Sequence, residues 1–173
     1  MVEIKTLIDE EKLHNRIDKI AKQIEEEYKG KELTLICILK GSVFFTVDLA
    51  KRINEDVRLE FIRVSSYGEG TESTGEIKMK LDLKDSIQGK DVIVVEDIID
   101  TGRTLSYLLE YLKMKKPNSV KLCTLLDKPD RRVMKDVKVD YTGFEIPDKF
   151  VVGYGLDWDE KYRNLPYIGY IEQ

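Results

Sequence analysis

The stretch LTLICIL, Leu33 to Leu39, is apolar on both faces apart from Thr34, the pattern of a strand covered by helices on both sides. The flanking sequence supplies those helices. From Asp9 to Tyr28 the apolar residues Leu13, Ile17, Ile20, Ala21, Ile24 and Tyr28 recur at helical spacing, with Asp9 placed as N-cap and Gly30 as terminator. After the strand, Lys40 and Gly41 interrupt the run, and Ser42 stands where it can cap a helix, SVFFTVDLAKRI. VRLEFIRV, Val57 to Val64, reads as the next strand. DVIVVEDI is a second buried strand, TLSYLLEYLKM a helix, and SVKLCTLLD a further strand after the break at Pro117 and Asn118. Strand alternating with helix predicts an α/β fold, a parallel sheet with right-handed crossovers and helices on both faces. A chain of 173 residues closes one sizeable core, so a single domain over 1–173 is expected.

Between the second and third strands, SSYGEGTESTGE, Ser65 to Glu76, holds three glycines and many hydroxyls but no large aliphatic side chain. Such a segment cannot bury itself and is expected to be a mobile loop. IKMKLDL then alternates apolar and polar residues as a half-exposed strand returning from it, and the pair resembles a flap. The last third is richer in Gly, Pro and aromatics and predicts short strands and turns.

Composition narrows the function. No run of apolar residues is long enough for a transmembrane helix, and MVEIKTLIDEEK places acids where a targeting peptide would place bases, so a cytoplasmic protein is expected. Cys37 and Cys123 lie apart in apolar runs and read as reduced core residues. His14, the single histidine, leaves little material for a Ser-His-Asp triad or a histidine-rich metal site. A formal charge of -4 opposes an extended grip on nucleic acid.

VVEDIIDTGRTL, Val94 to Leu105, concentrates the polar chemistry directly after a buried strand. In open parallel sheets, ligands bind beyond the carboxyl ends of the strands, where loops enter helices. The backbone N–H groups of Thr101 to Thr104, the two threonine hydroxyls and the helix dipole can converge there on one phosphate, with Gly102 allowing close approach. Neither GxxxxGK[ST] nor GxGxxG occurs, so the phosphate is not held by a Walker or dinucleotide loop. Adjacent acids repel unless they bind hydroxyls or a cation, so Glu96 and Asp97 suit a ribose diol with Mg2+ nearby. Asp100 reaches whatever is attached to that sugar.

The same string resembles the phosphoribosyl pyrophosphate (PRPP) signature of type I phosphoribosyltransferases. LKGS at Leu39 to Ser42, SSYGEGTESTG at Ser65 to Gly75 and GFEIPDKFVVGYGLDW at Gly143 to Trp158 further resemble the hypoxanthine-guanine branch of that family. The resemblance implies a type I phosphoribosyltransferase core with a mobile flap and a small hood built from the chain-terminal segments. It also implies transfer of the phosphoribosyl group of PRPP to hypoxanthine or guanine, giving IMP or GMP and pyrophosphate, with Mg2+. A homo-oligomer, dimer or tetramer, is expected, without nucleic-acid or membrane partners.

Residue by residue, the resemblance assigns Leu39, Lys40 and Gly41 to pyrophosphate, with a cis peptide between Leu39 and Lys40. It gives Glu96 and Asp97 to the ribose hydroxyls and metal, Asp100 to proton transfer at purine N7, and Thr101, Gly102, Arg103 and Thr104 to the 5′-phosphate. Ser65, Ser66 and Tyr67 would close over pyrophosphate. Lys128 would hydrogen-bond purine O6, Phe150 would stack on the base while the Val151 backbone meets its edge, Asp157 would meet a second metal, and Arg163 the pyrophosphate. Arg103, Trp158 and the DKPDRR loop depart from the commoner residues, and the last two bear on base preference. Two alternatives stay open: an RNA-binding regulatory protein on the same fold, and a phosphoribosyltransferase for xanthine, adenine or a pyrimidine.

Overall fold

The computed structural model describes residues 2–66 and 76–172. Its centre is a six-stranded sheet in the order β4-β3-β2-β5-β6-β7, formed by Ile77–Leu81, Val57–Ser66, Leu33–Ile38, Asp91–Ile99, Ser119–Asp127 and Tyr141–Glu145. All neighbours pair in parallel except β3 with β4. Helix α2 (Val43–Arg52) makes the crossover from β2 to β3 and α3 (Arg103–Lys113) the crossover from β5 to β6, while α1 (Glu10–Glu27) leads into β2.

The two-residue period of the strands sorts the core into two layers. Ile93 and Val95 of β5 and Leu35 of β2 pack with Leu13, Ile17 and Phe45, on the side of α1 and α2. Val92 and Val94, with Ile36 and Ile38, pack with Leu105, Leu108 and Leu112 of α3 on the other side. Continuous apolar strands therefore follow from two helical layers, and each fully buried Leu or Ile contributes about 1.5–3 kcal/mol by leaving water.

Asp9 caps α1 as expected, its Oδ1 accepting from the Lys12 N–H at 2.8 Å. Ser42 does not cap α2. It occupies the N-cap position, but its hydroxyl donates back to the Ile38 carbonyl at 2.7 Å and lies 3.3 Å from Cys37 Sγ. Helix α3 begins one residue before the expected Thr104, with Gly102 in the left-handed conformation (φ 84°) at its N-cap.

A second, antiparallel sheet in the order β1-β9-β8 joins Ile4–Ile8, Ile168–Ile171 and Phe150–Val152. It is the hood expected from the terminal segments. The strand β1 was not apparent in IKTLI, whose five residues acquire their partner only from the far end of the chain. The loop expected between β3 and β4 falls largely on residues 67–75, outside the described residues, and Tyr67 falls with it. No helix among the described residues is long and apolar enough to cross a membrane.

Candidate active site

Because β2, β3, β5 and β6 run parallel, their C-terminal ends lie along one edge of the sheet. That edge collects the LKG turn, Ser65 and Ser66 at the end of β3, the acids ending β5, and Lys128 following β6. The Leu39–Lys40 peptide is cis, as the resemblance implied. Gly41 lies against Asp97 so closely that a Cβ there would stand 1.7 Å from Oδ2. Lys40 Nζ is paired with Glu160 Oε2 at 2.8 Å, linking the turn to the segment between β8 and β9.

Glu96 is buried, and its Oε1 accepts from the Asp97 N–H at 2.9 Å. Asp97 Oδ1 accepts from the Ile98 N–H at 2.6 Å. Burial and then the adjacent Asp97 push the Glu96 carboxyl well above the ordinary carboxylate range. Burial raises Asp97 as well, opposed by the hydrogen bond with Glu96, backbone N–H groups and the charge of Arg163. A cation bound beside both acids would favour their charged forms. Among the described residues no three His, Cys, Asp and Glu side chains gather as a ligand set. The pair thus fits a hard divalent cation that completes its shell with water and substrate oxygens, the usual habit of Mg2+. Asp157 does not join Glu96 and Asp97 in one such set; its Oδ1 lies 3.2 Å from Arg163 and its Oδ2 accepts from the Glu160 N–H.

Arg163 is held by the Gly155 carbonyl at 2.7 Å and by Glu160 at 3.0 Å. Its Nε is buried with no hydrogen-bond partner among the described residues.

Past the acids, the chain turns at Thr101–Gly102 into α3. The Thr101 carbonyl accepts from the N–H groups of Val133 and Met134, fastening the turn, and its hydroxyl accepts from the Arg103 N–H at 3.4 Å. A cavity of about 230 Å³ lies over this turn, lined by Glu96, Asp100 and Thr101 to Thr104 with Ile38 and Val64. Helix N–H groups and threonine hydroxyls around a small hollow form an anion cradle.

Beside it opens a cleft of about 710 Å³ lined by Asp100, Lys128, Arg131, Asp148 and Phe150, among others. Lys128 is 8% exposed, with Nζ 3.4 Å from Asp148 Oδ1. Phe150, which could have been an ordinary core aromatic, is 41% exposed and meets Trp158 edge-on at 6.5 Å. Val151 beside it is buried. Asp100 Oδ1 accepts from Arg131 Nε at 2.9 Å, its carbonyl accepts from Arg132 Nε at 3.2 Å, and Arg132 also pairs with Asp127. The sequence did not single out Arg131, Arg132 or Asp148; the only sign was the unusual DKPDRR loop.

The chain matches the model of the phosphoribosyl transferase domain over residues 4–159. It is 49% identical over 168 residues to the bifunctional protein TilS/HprT of Listeria monocytogenes, covering 97% of this chain but 26% of that protein. The hypoxanthine-guanine phosphoribosyltransferase of Streptococcus thermophilus is 47% identical, with 98% of this chain and 93% of that one aligned. A crystal structure of a hypoxanthine-guanine phosphoribosyltransferase from Bacillus anthracis superposes with a TM-score of 0.93 at 51% identity, covering 98% of this chain and 100% of that one.

Proposed function

The chain belongs to the phosphoribosyl transferase domain family, in its hypoxanthine-guanine branch, and we propose that it serves purine salvage by joining PRPP to a free 6-oxopurine. Hypoxanthine gives IMP and guanine gives GMP, with pyrophosphate released. The observation that carries this reading is the sequence of groups along one sheet edge: an anion cradle at Thr101 to Thr104, a diol-binding acid pair, a carboxylate at Asp100, and a nearly buried ammonium at Lys128. Their order matches phosphate, ribose, glycosidic bond and purine O6.

In this reading the phosphate cradle and Glu96 with Asp97 fix the sugar, while Phe150 presents its exposed face to the base. Lys128 donates to O6, a contact that favours an oxo group over the amino group of adenine, because an ammonium has donors only. Asp100 accepts the N7 proton as the bond forms at N9. The LKG backbone, Lys40 and Arg163 receive the pyrophosphate. Mg2+ bound with PRPP at Glu96 and Asp97, with Asp157 serving a second ion, would neutralise charge on the departing pyrophosphate. Ser65, Ser66 and Tyr67 belong to the segment assigned to cover that leaving group. The site lies within one domain spanning 1–173, and we place the enzyme in the cytoplasm as a homo-oligomer acting on small molecules rather than nucleic acid or membrane.

Nucleotide formation from hypoxanthine, guanine, xanthine and adenine with Mg-PRPP tests the proposal. IMP and GMP should form with the highest efficiencies; turnover confined to adenine, or none with any base, would overturn it.

A further inference from the structure

Asp100 is not alone at the mouth of the base cleft. Arg131 Nε donates to its Oδ1 at 2.9 Å, Arg131 also reaches Asp148 Oδ2 at 3.5 Å, and Asp148 Oδ1 meets Lys128 Nζ at 3.4 Å. Four side chains of alternating charge thus run along one wall of the cleft. We propose that Arg131 is a positioning residue for Asp100, and that Asp148, by bridging Arg131 to Lys128, ties the proton acceptor to the lysine that recognises the base. The inference rests on the phosphoribosyl-transfer reading above.

The loop that carries Arg131 is fastened to the strand end that carries Asp100. Pro129–Arg131 form one turn of 3-10 helix, the Lys128 N–H donates to the Ile99 carbonyl at 3.0 Å, and the Arg131 N–H donates to the Lys128 carbonyl at 3.1 Å. Arg132 adds its bond to the Asp100 carbonyl and its pairing with Asp127. The guanidinium is therefore delivered at a fixed place rather than on a wandering loop.

Exposure indicates what the pair is for. The side chains of Arg131 and Asp100 are 47% and 42% exposed, and a pair this open to water adds little to folding stability. Its consequence is orientation. With Oδ1 engaged by Arg131, Asp100, which lines the cleft, keeps Oδ2 as the oxygen to take a proton. In the transfer step, N9 bonds to C1′ as the C1′–oxygen bond to pyrophosphate breaks and pyrophosphate leaves with the electron pair. The N7–H bond breaks in turn and its proton passes to Oδ2. Lys128 spends one of its three donors on Asp148 and keeps the others for O6.

The test is single-turnover IMP formation from hypoxanthine with saturating Mg-PRPP, alongside the Mg-PRPP dissociation constant. Arg131→Met should slow the step about 10-fold or more, because small misplacements of a reacting group carry large rate penalties, while PRPP affinity stays within about two-fold. Arg131→Lys should recover part of the rate, and Asp148→Asn should raise KM for hypoxanthine more than it lowers kcat. In an Asp100→Asn background, Arg131→Met should add no further loss, a result that general damage to the loop would not give. A wild-type-like rate for Arg131→Met in an active enzyme overturns this inference alone, as does an undiminished loss on top of Asp100→Asn. A wild-type chain that forms no nucleotide from any 6-oxopurine overturns the functional reading and this inference with it.

Discussion

The backbone of Gly41 occupies the space beside Asp97 that any side chain would need, since a Cβ on it would stand 1.7 Å from Oδ2 and 2.8 Å from Cγ. The turn proposed for pyrophosphate and the acid proposed for ribose and metal are thus a single packed unit.

Gly41→Ala must displace one of the two. With Asp97 half-buried and its Oδ1 held by the Ile98 N–H, the LKG turn, with Lys40 exposed, is the part that can move, and a shift of about 1 Å at a binding group costs on the order of 10²-fold. Mg-PRPP affinity should fall by about that factor while the far-ultraviolet spectrum and melting temperature change little. Titration of Mg-PRPP into the variant measures it, and wild-type affinity would show that the turn and the acid are not coupled.

Lys128→Met should cut the efficiency with hypoxanthine and guanine by about 1.5–3 kcal/mol of transition-state stabilisation, the worth of a hydrogen bond from a charged donor. The side chain is nearly buried, so methionine preserves its packing, and PRPP affinity should be nearly unchanged. Steady-state kinetics with each base decide it. Equal efficiency in wild type and variant would remove Lys128 from base recognition.

Away from the site, Glu27 accepts from Lys121 Nζ at 2.7 Å and from the Tyr141 hydroxyl, joining α1 to β6 and β7. Those two bonds hold its carboxyl below the usual value, against a smaller burial effect. A folded-state pKa below the unfolded one gives stability that is present above the unfolded value and lost as pH falls through the folded one. Its side chain is 37% exposed, so after discounting for solvent screening Glu27→Gln should cost about 0.5–1 kcal/mol at pH 7. Melting curves of both proteins should converge once the pH drops below the folded-state value. A gap that persists in acid would mean that packing, not charge, is being lost.

What the sequence made legible follows from the range of the interactions involved. LTLICIL and DVIVVEDI announce buried strands because two helical layers demand apolar residues at every position, and VVEDIIDTGRTL announces a site because polar groups at a strand end have no structural need to cluster. Strand β1 was hidden because its pairing partner, Ile168–Ile171, lies at the opposite end of the chain. The Arg131–Asp100 pair was hidden for a related reason. A basic loop residue looks solvated until the fold lays its loop across the end of β5. Ser42 misled differently: the residue type suits a cap, but the tight LKG turn offers its hydroxyl the Ile38 carbonyl instead.

Asp100 and Thr104 lie at opposite ends of one short turn, and their proposed roles separate in kinetics. Asp100→Asn keeps the size and an acceptor for Arg131 but removes the basic carboxylate, so Mg-PRPP should bind within a few-fold while the chemical step slows by about 10²- to 10⁴-fold. Thr104→Val keeps the shape of the helix start and removes a hydroxyl from the phosphate cradle, so it should weaken PRPP and leave the single-turnover rate at saturation nearly intact. The pair of variants distinguishes a proton acceptor from one more phosphate contact. If Asp100→Asn matches wild type in single-turnover rate at saturating PRPP and hypoxanthine, proton transfer at N7 belongs to another group. Phosphoribosyl transfer would survive that result, since the cradle, the acid pair and the LKG turn do not depend on which residue takes the proton.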